Sequence, residues 1–113
     1  MPGLNDTAKN SALDHVGTLI THLSIHDVDP GAEGTNGEIG TRQAVSWNSA
    51  SSGNLDSVGT QEFAITSGQT VHSVGFWSAE SGGTYYGAKA LPEPESFSND
   101  GTFTVNDLDI NLT

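Results

Sequence analysis

Short stretches of alternating apolar and polar residues, separated by glycine-rich turns, constrain the fold of this chain more than any other feature of its sequence. Alternation with a period of two is typical of a strand that buries one face. Such stretches occur at residues 19–26, 42–47, 63–65, 71–77, 84–91 and 102–112. Six or seven short strands joined by such turns predict a mainly β fold, a small antiparallel β-sandwich or jelly-roll-like barrel.

The strongest predicted strand spans residues 71–77 and continues through a Ser-Gly-Gly hairpin turn at 81–83 into the strand at 84–91. Pro92 and Pro94 are expected to break the sheet after it, because proline cannot donate a ladder hydrogen bond. Alternation along 71–77 places Val74 and Phe76 on one face of the strand and Val71 and Trp77 on the other.

The last stretch, residues 102–112, changes its apolar phase after Phe103 and Val105. A change of phase inside a strand predicts a bulge, here near Asn106 and Asp107. Three polar side chains of this stretch are expected to project together. They form either a cation site or acidic contact stripe, or the wet face of an edge strand whose charges discourage unwanted pairing, which we favour. These residues are Asp107, Asp109 and Asn111.

Residues 1–17 are the only segment with helical periodicity. Asn5 or Asp6 can cap the first turn, and Gly17 is a natural stop. A short helix needs packing on an apolar face to be stable, so this one is expected to close one end of its own sandwich or to attach the chain to another subunit. The apolar stripe that would make either contact adjoins Leu13 and consists of Leu4, Ala8, Ala12 and Val16.

The chain is expected to form one domain, with residues 1–17 helical and residues 18–113 in the β-sandwich. Its 14 acidic and 3 basic residues give a net charge of −11, which argues against nucleic acid and against an anionic membrane surface as partners. The absence of cysteine excludes disulfides and zinc–thiolate sites. No apolar run approaches the ~20 residues of a membrane span. The N-terminus lacks a signal-peptide layout, so we expect intracellular synthesis.

A long loop at residues 27–38 carries four acidic residues among three glycines and one proline. Spaced carboxylates on a flexible loop can bind a hard cation, but Ala32 stands where a calcium loop requires glycine. We therefore favour a solvated turn in which the aspartates bond to their own backbone, and we predict no metal and no other cofactor. The alternative is a cation loop formed by Asp27, Asp29, Glu33 and Glu38.

His22 and His26 are four positions apart on a predicted strand. At ~3.3 Å per residue they share a face but lie roughly 13 Å apart, too far to bind one metal ion. They are expected to face solvent or an interface.

Three aromatic residues lie across the predicted hairpin, namely Trp77, Tyr85 and Tyr86. They could stack on sugar rings as a glycan-contact surface, or pack on each other as cross-strand pairs. The sequence contains no Gly-x-Ser-x-Gly elbow and no Walker-type phosphate loop. No catalytic residues and no enzymatic activity are therefore predicted.

Three separated blocks of the sequence occur in an order that is similar to one group of tailed-phage proteins. The first is MPGLNDTAKN at 1–10; the second is THLSIH at 21–26, followed by DPG at 29–31 and RQAVSW at 42–47; the third is VGFWSA at 74–79 followed by GGTYYG at 82–87. Together they resemble small virion proteins of actinobacterial phages, commonly labelled tail-fibre or minor structural proteins.

The resemblance implies a non-enzymatic virion protein that is made in the host cytoplasm and decorates the head or associates with the tail. Its implied partners are other virion proteins, the major capsid or tail proteins, together with further copies of itself in a symmetric assembly. A carbohydrate-binding receptor-recognition module on the tail is the alternative function. The resemblance transfers no catalytic residues.

Overall fold

The computed structural model describes residues 3–106 and 108–111. One helix, α1 (Asp6–Leu19), precedes the strands β1 (His22–His26), β2 (Glu38–Ala44), β3 (Asn54–Asp56), β4 (Thr60–Ile65), β5 (Thr70–Trp77), β6 (Tyr85–Ser96), β7 (Gly101–Asn106) and β8 (Asp109–Asn111). The predicted mainly β class, with one helix near the N-terminus, is confirmed.

All strand pairs are antiparallel and form two layers. Four strands form the larger sheet in the order β2-β1-β5-β6, while β4 pairs with β7 and β3 pairs with β8. The core lies between these layers, since apolar side chains of both belong to one buried cluster. The larger sheet contributes Leu23, Ile25, Val74 and Phe76, and the β4–β7 pair contributes Phe63, Ile65, Phe103 and Val105.

The cap of α1 agrees with the sequence, because the Asn5 side chain accepts a hydrogen bond of 2.9 Å from the Ala8 N–H. The predicted stop at Gly17 is wrong. The helix continues to Leu19, and the Ile20 N–H bonds to the Val16 carbonyl to close its last turn. A glycine inside a helix costs stability but does not end it unless the backbone turns left-handed, which Gly17 does not do.

The apolar stripe of α1 is divided between two faces. Leu13 is fully buried and Val16 is partly buried, as the helix packs against β3. Polar side chains on the same side accept backbone hydrogen bonds from the segment before β3: Asn10 from the Gly53 N–H and Asp14 from the Ala50 N–H. The other members of the stripe, Leu4, Ala8 and Ala12, are exposed.

Gly17→Ala is expected to stabilise the protein by about 0.5–1 kcal/mol. A Cβ at this position would meet the Trp47 ring at 3.5 Å, an ordinary contact distance. Chemical denaturation followed by circular dichroism measures the change. Ala12→Gly, at an exposed position of the same helix, is the matched control and should destabilise by a similar amount. A loss of stability in Gly17→Ala would show that Trp47 cannot accommodate the methyl group.

Two expectations for β5 and β6 are corrected by their register. Val71 joins the same core as Val74 and Phe76, and the pairing of β5 with β6 is irregular between Val71 and Ser73. Trp77 does face the other way. Pro92 and Pro94 do not break the sheet. They lie within β6, an edge strand, where a missing N–H leaves no ladder bond unmade.

The phase shift of the last stretch marks a break instead of a bulge. β7 pairs with β4 and β8 pairs with β3, so the two segments belong to different strand pairs. Asp107, where the bulge was predicted, lies outside the described residues. Two further differences concern β2, which begins at Glu38 instead of residue 42, and β3, a short strand that the sequence does not predict.

Candidate functional site

The larger sheet has a second, polar face that is also buried. On β1 and β5, Ser24 and His26 are 1% and 0% exposed and Trp77 is 4% exposed. The Trp77 indole N–H donates to Ser24 Oγ at 2.8 Å, and Ser24 Oγ lies 2.6 Å from His26 Nε2. His26 Nδ1 lies 2.8 Å from the Asn36 carbonyl oxygen. We call this arrangement the polar layer.

The hydrogen bonds of the polar layer determine one tautomer of His26. The Asn36 carbonyl can only accept, so Nδ1 carries the proton and donates to it. In the neutral imidazole Nε2 then accepts from the Ser24 hydroxyl, and the hydroxyl oxygen accepts from Trp77. Each of the three side chains thus has a hydrogen-bond partner for its buried polar atoms, as burial requires.

Arg42 closes the polar layer on the β2 side. Its guanidinium carbon lies 3.5 Å from the centroid of the Trp77 ring, within the range of a cation–π contact. Its Nε donates to the Glu38 carboxylate at 3.0 Å, and Nη1 donates to the carbonyls of Ala79 and Gly82 at 3.1 and 2.8 Å. Arg42 therefore ties the β5–β6 hairpin turn to β2 while it is 8% exposed.

The acidic loop 27–37 covers the polar layer and is held at both ends. The Asp27 N–H bonds to the Gly37 carbonyl at 3.0 Å, and the Asn36 N–H bonds to the Pro30 carbonyl at 3.1 Å. Gly34 packs against Tyr85: a Cβ there would come within 2.7 Å of the ring carbon Cε1. The loop is thus a fixed cover over His26.

Burial raises the pKa of the Tyr85 hydroxyl above its usual value of about 10, and the negative charge of Asp29 raises it further. A raised pKa in the folded state means that stability is present below the unfolded value and is lost as pH rises through the folded value. We therefore expect the wild-type protein to lose stability above about pH 10 more steeply than Tyr85→Phe.

Urea unfolding at a series of alkaline pH values measures this difference. Tyr86→Phe is the matched control, because it removes a hydroxyl from the neighbouring tyrosine and leaves Tyr85 in place, so it should keep the steep alkaline loss of stability. A constant offset between wild type and Tyr85→Phe at every pH would contradict the assignment.

The three aromatic residues proposed for glycan contact do not share one surface. Trp77 is buried under Arg42, and its ring centroid lies 5.1 Å from that of Tyr85, which makes them a cross-strand pair. Tyr86 is 41% exposed and lies in a register shift of β6, beside Phe76 of the core side. Glycan contact stays a prediction, and stacking on Trp77 would require Arg42 to move away.

The four carboxylates of the suggested cation loop have separate surroundings. Glu38 pairs with Arg42, and Asp29 accepts from the Gly31 N–H at 2.9 Å, the local backbone bond expected of a turn. Asp27 and Glu33 are exposed. Within residues 3–106 and 108–111, no three His, Asp or Glu side chains are placed so that they could hold a metal ion.

The expectation for the histidines is wrong for His26, which is buried in the polar layer, whereas His22 is partly buried beside Thr21. Of the acidic final stretch, Asn111 is exposed and Asp109 is partly buried, while Asp107 lies outside the described part of the chain. Arg42 was not singled out as a site residue. The signal for it was its rarity, since it is one of three basic residues in the chain.

A depression of about 480 Å³ separates α1 from residues 45–49. Asp14 is the titratable residue in its lining, and its carboxylate accepts the Ala50 N–H at 2.7 Å. Among the described residues, no helix is both long enough and apolar enough to cross a membrane.

A search of curated proteins finds no match to this chain. A comparison with protein families matches residues 3–113 to the family described as Podophage GP4 fiber I protein gp80. Since this match covers nearly the whole chain, the protein belongs to the podophage GP4 fiber I protein gp80 family.

Proposed function

We propose that this chain is a non-enzymatic structural module associated with the phage tail, where it forms part of a fibre in a symmetric assembly. The family match over residues 3–113 carries the proposal. The family is one of phage fibre proteins, so the chain is a virion component that assembles with other virion proteins. The actinobacterial host suggested by the resemblance is part of the proposal.

The arrangement of side chains supports a structural role. The titratable and polar groups of the polar layer bond to each other or to the backbone, which holds the acidic loop against the sheet. The described residues form an elongated body of 45 × 24 × 23 Å. An elongated β-sandwich whose long loop is held by hydrogen bonds is suited to a fibre module, which must resist deformation.

The location is tested by mass spectrometry of purified virions, followed by antibody labelling in electron microscopy. We expect the protein in mature particles, with label on the tail and a copy number that fits a fibre. Label spread over the head at hundreds of copies would instead support head decoration. Absence from mature particles would end the structural proposal.

The exposed face of α1 is proposed as an attachment surface to the rest of the particle. Ala8 and Ala12 are exposed, whereas Leu13 on another side of the helix is fully buried. The double variant Ala8→Arg, Ala12→Arg should therefore unfold at the wild-type temperature but fail to enter particles. Leu13→Ala is the contrasting control, expected to lose about 2–5 kcal/mol of stability. Normal incorporation of the double variant would remove α1 from the attachment surface.

A further inference from the structure

An apolar trough runs along the open side of the sandwich, between β6 and the β7–β8 segment. It consists of three depressions of about 360, 260 and 270 Å³, the second of which is also lined by Val16 and Leu19 of α1 and by Ile20. The first and third share Lys89 and Asp109 in their linings, so the trough is continuous there. Core side chains reach its surface, among them Val74, Phe76, Leu91, Phe103, Val105 and Ile110.

Two strand edges border the trough. In the described part of the chain, β6 pairs with β5 alone and β8 pairs with β3 alone, so each strand has a second edge without a partner strand. The third depression lies between them, with Ala88 and Lys89 on one side and Asp109, Ile110 and Asn111 on the other. Unpaired edges beside an apolar trough are suited to receive an added strand.

The two halves of β6 differ in how they are protected. Residues 91–96 contain Pro92, Glu93, Pro94 and Glu95, and prolines and charges on an edge are the usual means of preventing strand addition. Residues 85–90 carry no proline and no acidic residue; Lys89 is their one charged residue, and Ala88 and Ala90 are small and exposed. The half with fewer protecting residues is the one that lies along the third depression.

The trough also contains an acceptor without a donor. Asp109 Oδ1 is buried and has no hydrogen-bond partner among the described residues. Lys89 lies close by, but its Nζ donates to the Asp109 main-chain oxygen at 3.0 Å and not to the carboxylate. A buried acceptor left without a donor is costly, so an occupant that brings an N–H or an ammonium group fits here.

Charge decides which occupant the trough favours. A second copy would bring another net charge of −11, and like charges disfavour close approach. Of the three basic residues, Arg42 is engaged in the polar layer, Lys89 already lies across the trough, and Lys9 lies in the first turns of α1. The missing donor is therefore best supplied by a different, basic chain.

We propose that the trough between β6 and β8 receives an extended segment of another virion protein in which apolar and basic residues alternate. The segment pairs with the edge of β6 at residues 85–90, inserts its apolar side chains into the trough and donates a hydrogen bond to Asp109. The proposal rests on the proposed function for the source of this segment, but its chemistry follows from the trough alone.

The test uses the full chain and two labelled nine-residue peptides, one alternating valine with lysine and one alternating valine with glutamate. Fluorescence anisotropy should show binding of the lysine peptide and no binding of the glutamate peptide. Ala88→Arg is expected to weaken binding at least about tenfold and Asp109→Asn about fivefold. Ala44→Arg makes the same charge change on the exposed surface of β2, the other edge strand, and should change binding less than about twofold.

Equal weakening by Ala88→Arg and Ala44→Arg would show general attraction to an acidic protein and would overturn the proposal. So would the absence of lysine-peptide binding, or a dimer of the wild-type chain that Ala88→Arg dissociates, because a second copy would then occupy the trough. Virion mass spectrometry is independent of these outcomes, so a failure of the trough proposal leaves the fibre assignment standing.

Discussion

Replacing Arg42 with alanine is expected to lower the free energy of unfolding by about 3 kcal/mol. The change removes the donor to Glu38 and leaves the carbonyls of Ala79 and Gly82 without their side-chain partner. It also uncovers one face of Trp77. The loss comes from groups left unsatisfied in a partly buried position, which costs more than the net gain from forming the same bonds. Urea unfolding followed by far-ultraviolet circular dichroism measures it.

Arg42→Lys separates charge from geometry. Lysine keeps the positive charge but cannot present the planar fork that reaches Glu38 and the hairpin carbonyls together. We expect it to recover less than half of the stability that Arg42→Ala loses. Lys9→Ala removes a cation from α1 and should stay within about 0.5 kcal/mol of wild type. If Arg42→Lys equals wild type, charge alone is sufficient and the proposed geometry has no role.

The features predicted correctly from the sequence depend on near neighbours in the chain. The Asn5 cap is a bond across three residues, and the hairpin after β5 follows from its own glycine-rich turn. The end of β4, where Phe63 and Ile65 are buried and Ala64 is exposed, also follows from local pattern. These signals do not require knowledge of which strands become neighbours.

The burial of His26 could not be predicted because it depends on a cover from elsewhere in the chain. A strand that alternates apolar and polar residues indicates one wet face. Here loop 27–37 folds back over that face, and the Asn36 carbonyl supplies the bond that lets a histidine be buried. A dense run of glycine, aspartate and asparagine indicates a loop, but it does not say where the loop will pack.

The wrong predictions for Pro92, Pro94 and Val71 have a second cause, which is the position of β6 in the sheet. Whether Pro92 and Pro94 end a strand depends on whether that strand has a neighbour on both sides, and β6 has one only among the described strands. Likewise, Val71 lies in the core at a point where the pairing of β5 with β6 is irregular. Both features depend on how the strands are arranged in the sheet, and no single segment of the sequence specifies them.

Gly75→Ala is expected to destabilise the protein by about 2–3 kcal/mol. Gly75 lies on β5 opposite Ser24, and a Cβ there would stand 2.9 Å from His26 Nε2 and 3.2 Å from Trp77 Nε1, with Ser24 Oγ closer still. These atoms are held by hydrogen bonds to each other, so none can withdraw without leaving a buried polar group unsatisfied. Close approach, and not backbone conformation, is therefore the reason for glycine at this position.

Gly17→Ala is the matched control for that reasoning, because neither Gly17 nor Gly75 has a positive φ. Both variants add one methyl group without backbone strain, so opposite signs of their effects isolate the packing of the polar layer. A double-mutant cycle identifies the clashing partner: in a Ser24→Ala background, which lacks the nearest oxygen, the cost of Gly75→Ala should fall by about 1 kcal/mol. If the cost is unchanged, Ser24 is not the obstacle. If Gly75→Ala is as stable as wild type, the polar layer can accommodate a methyl group at this position, and the explanation by close approach is wrong.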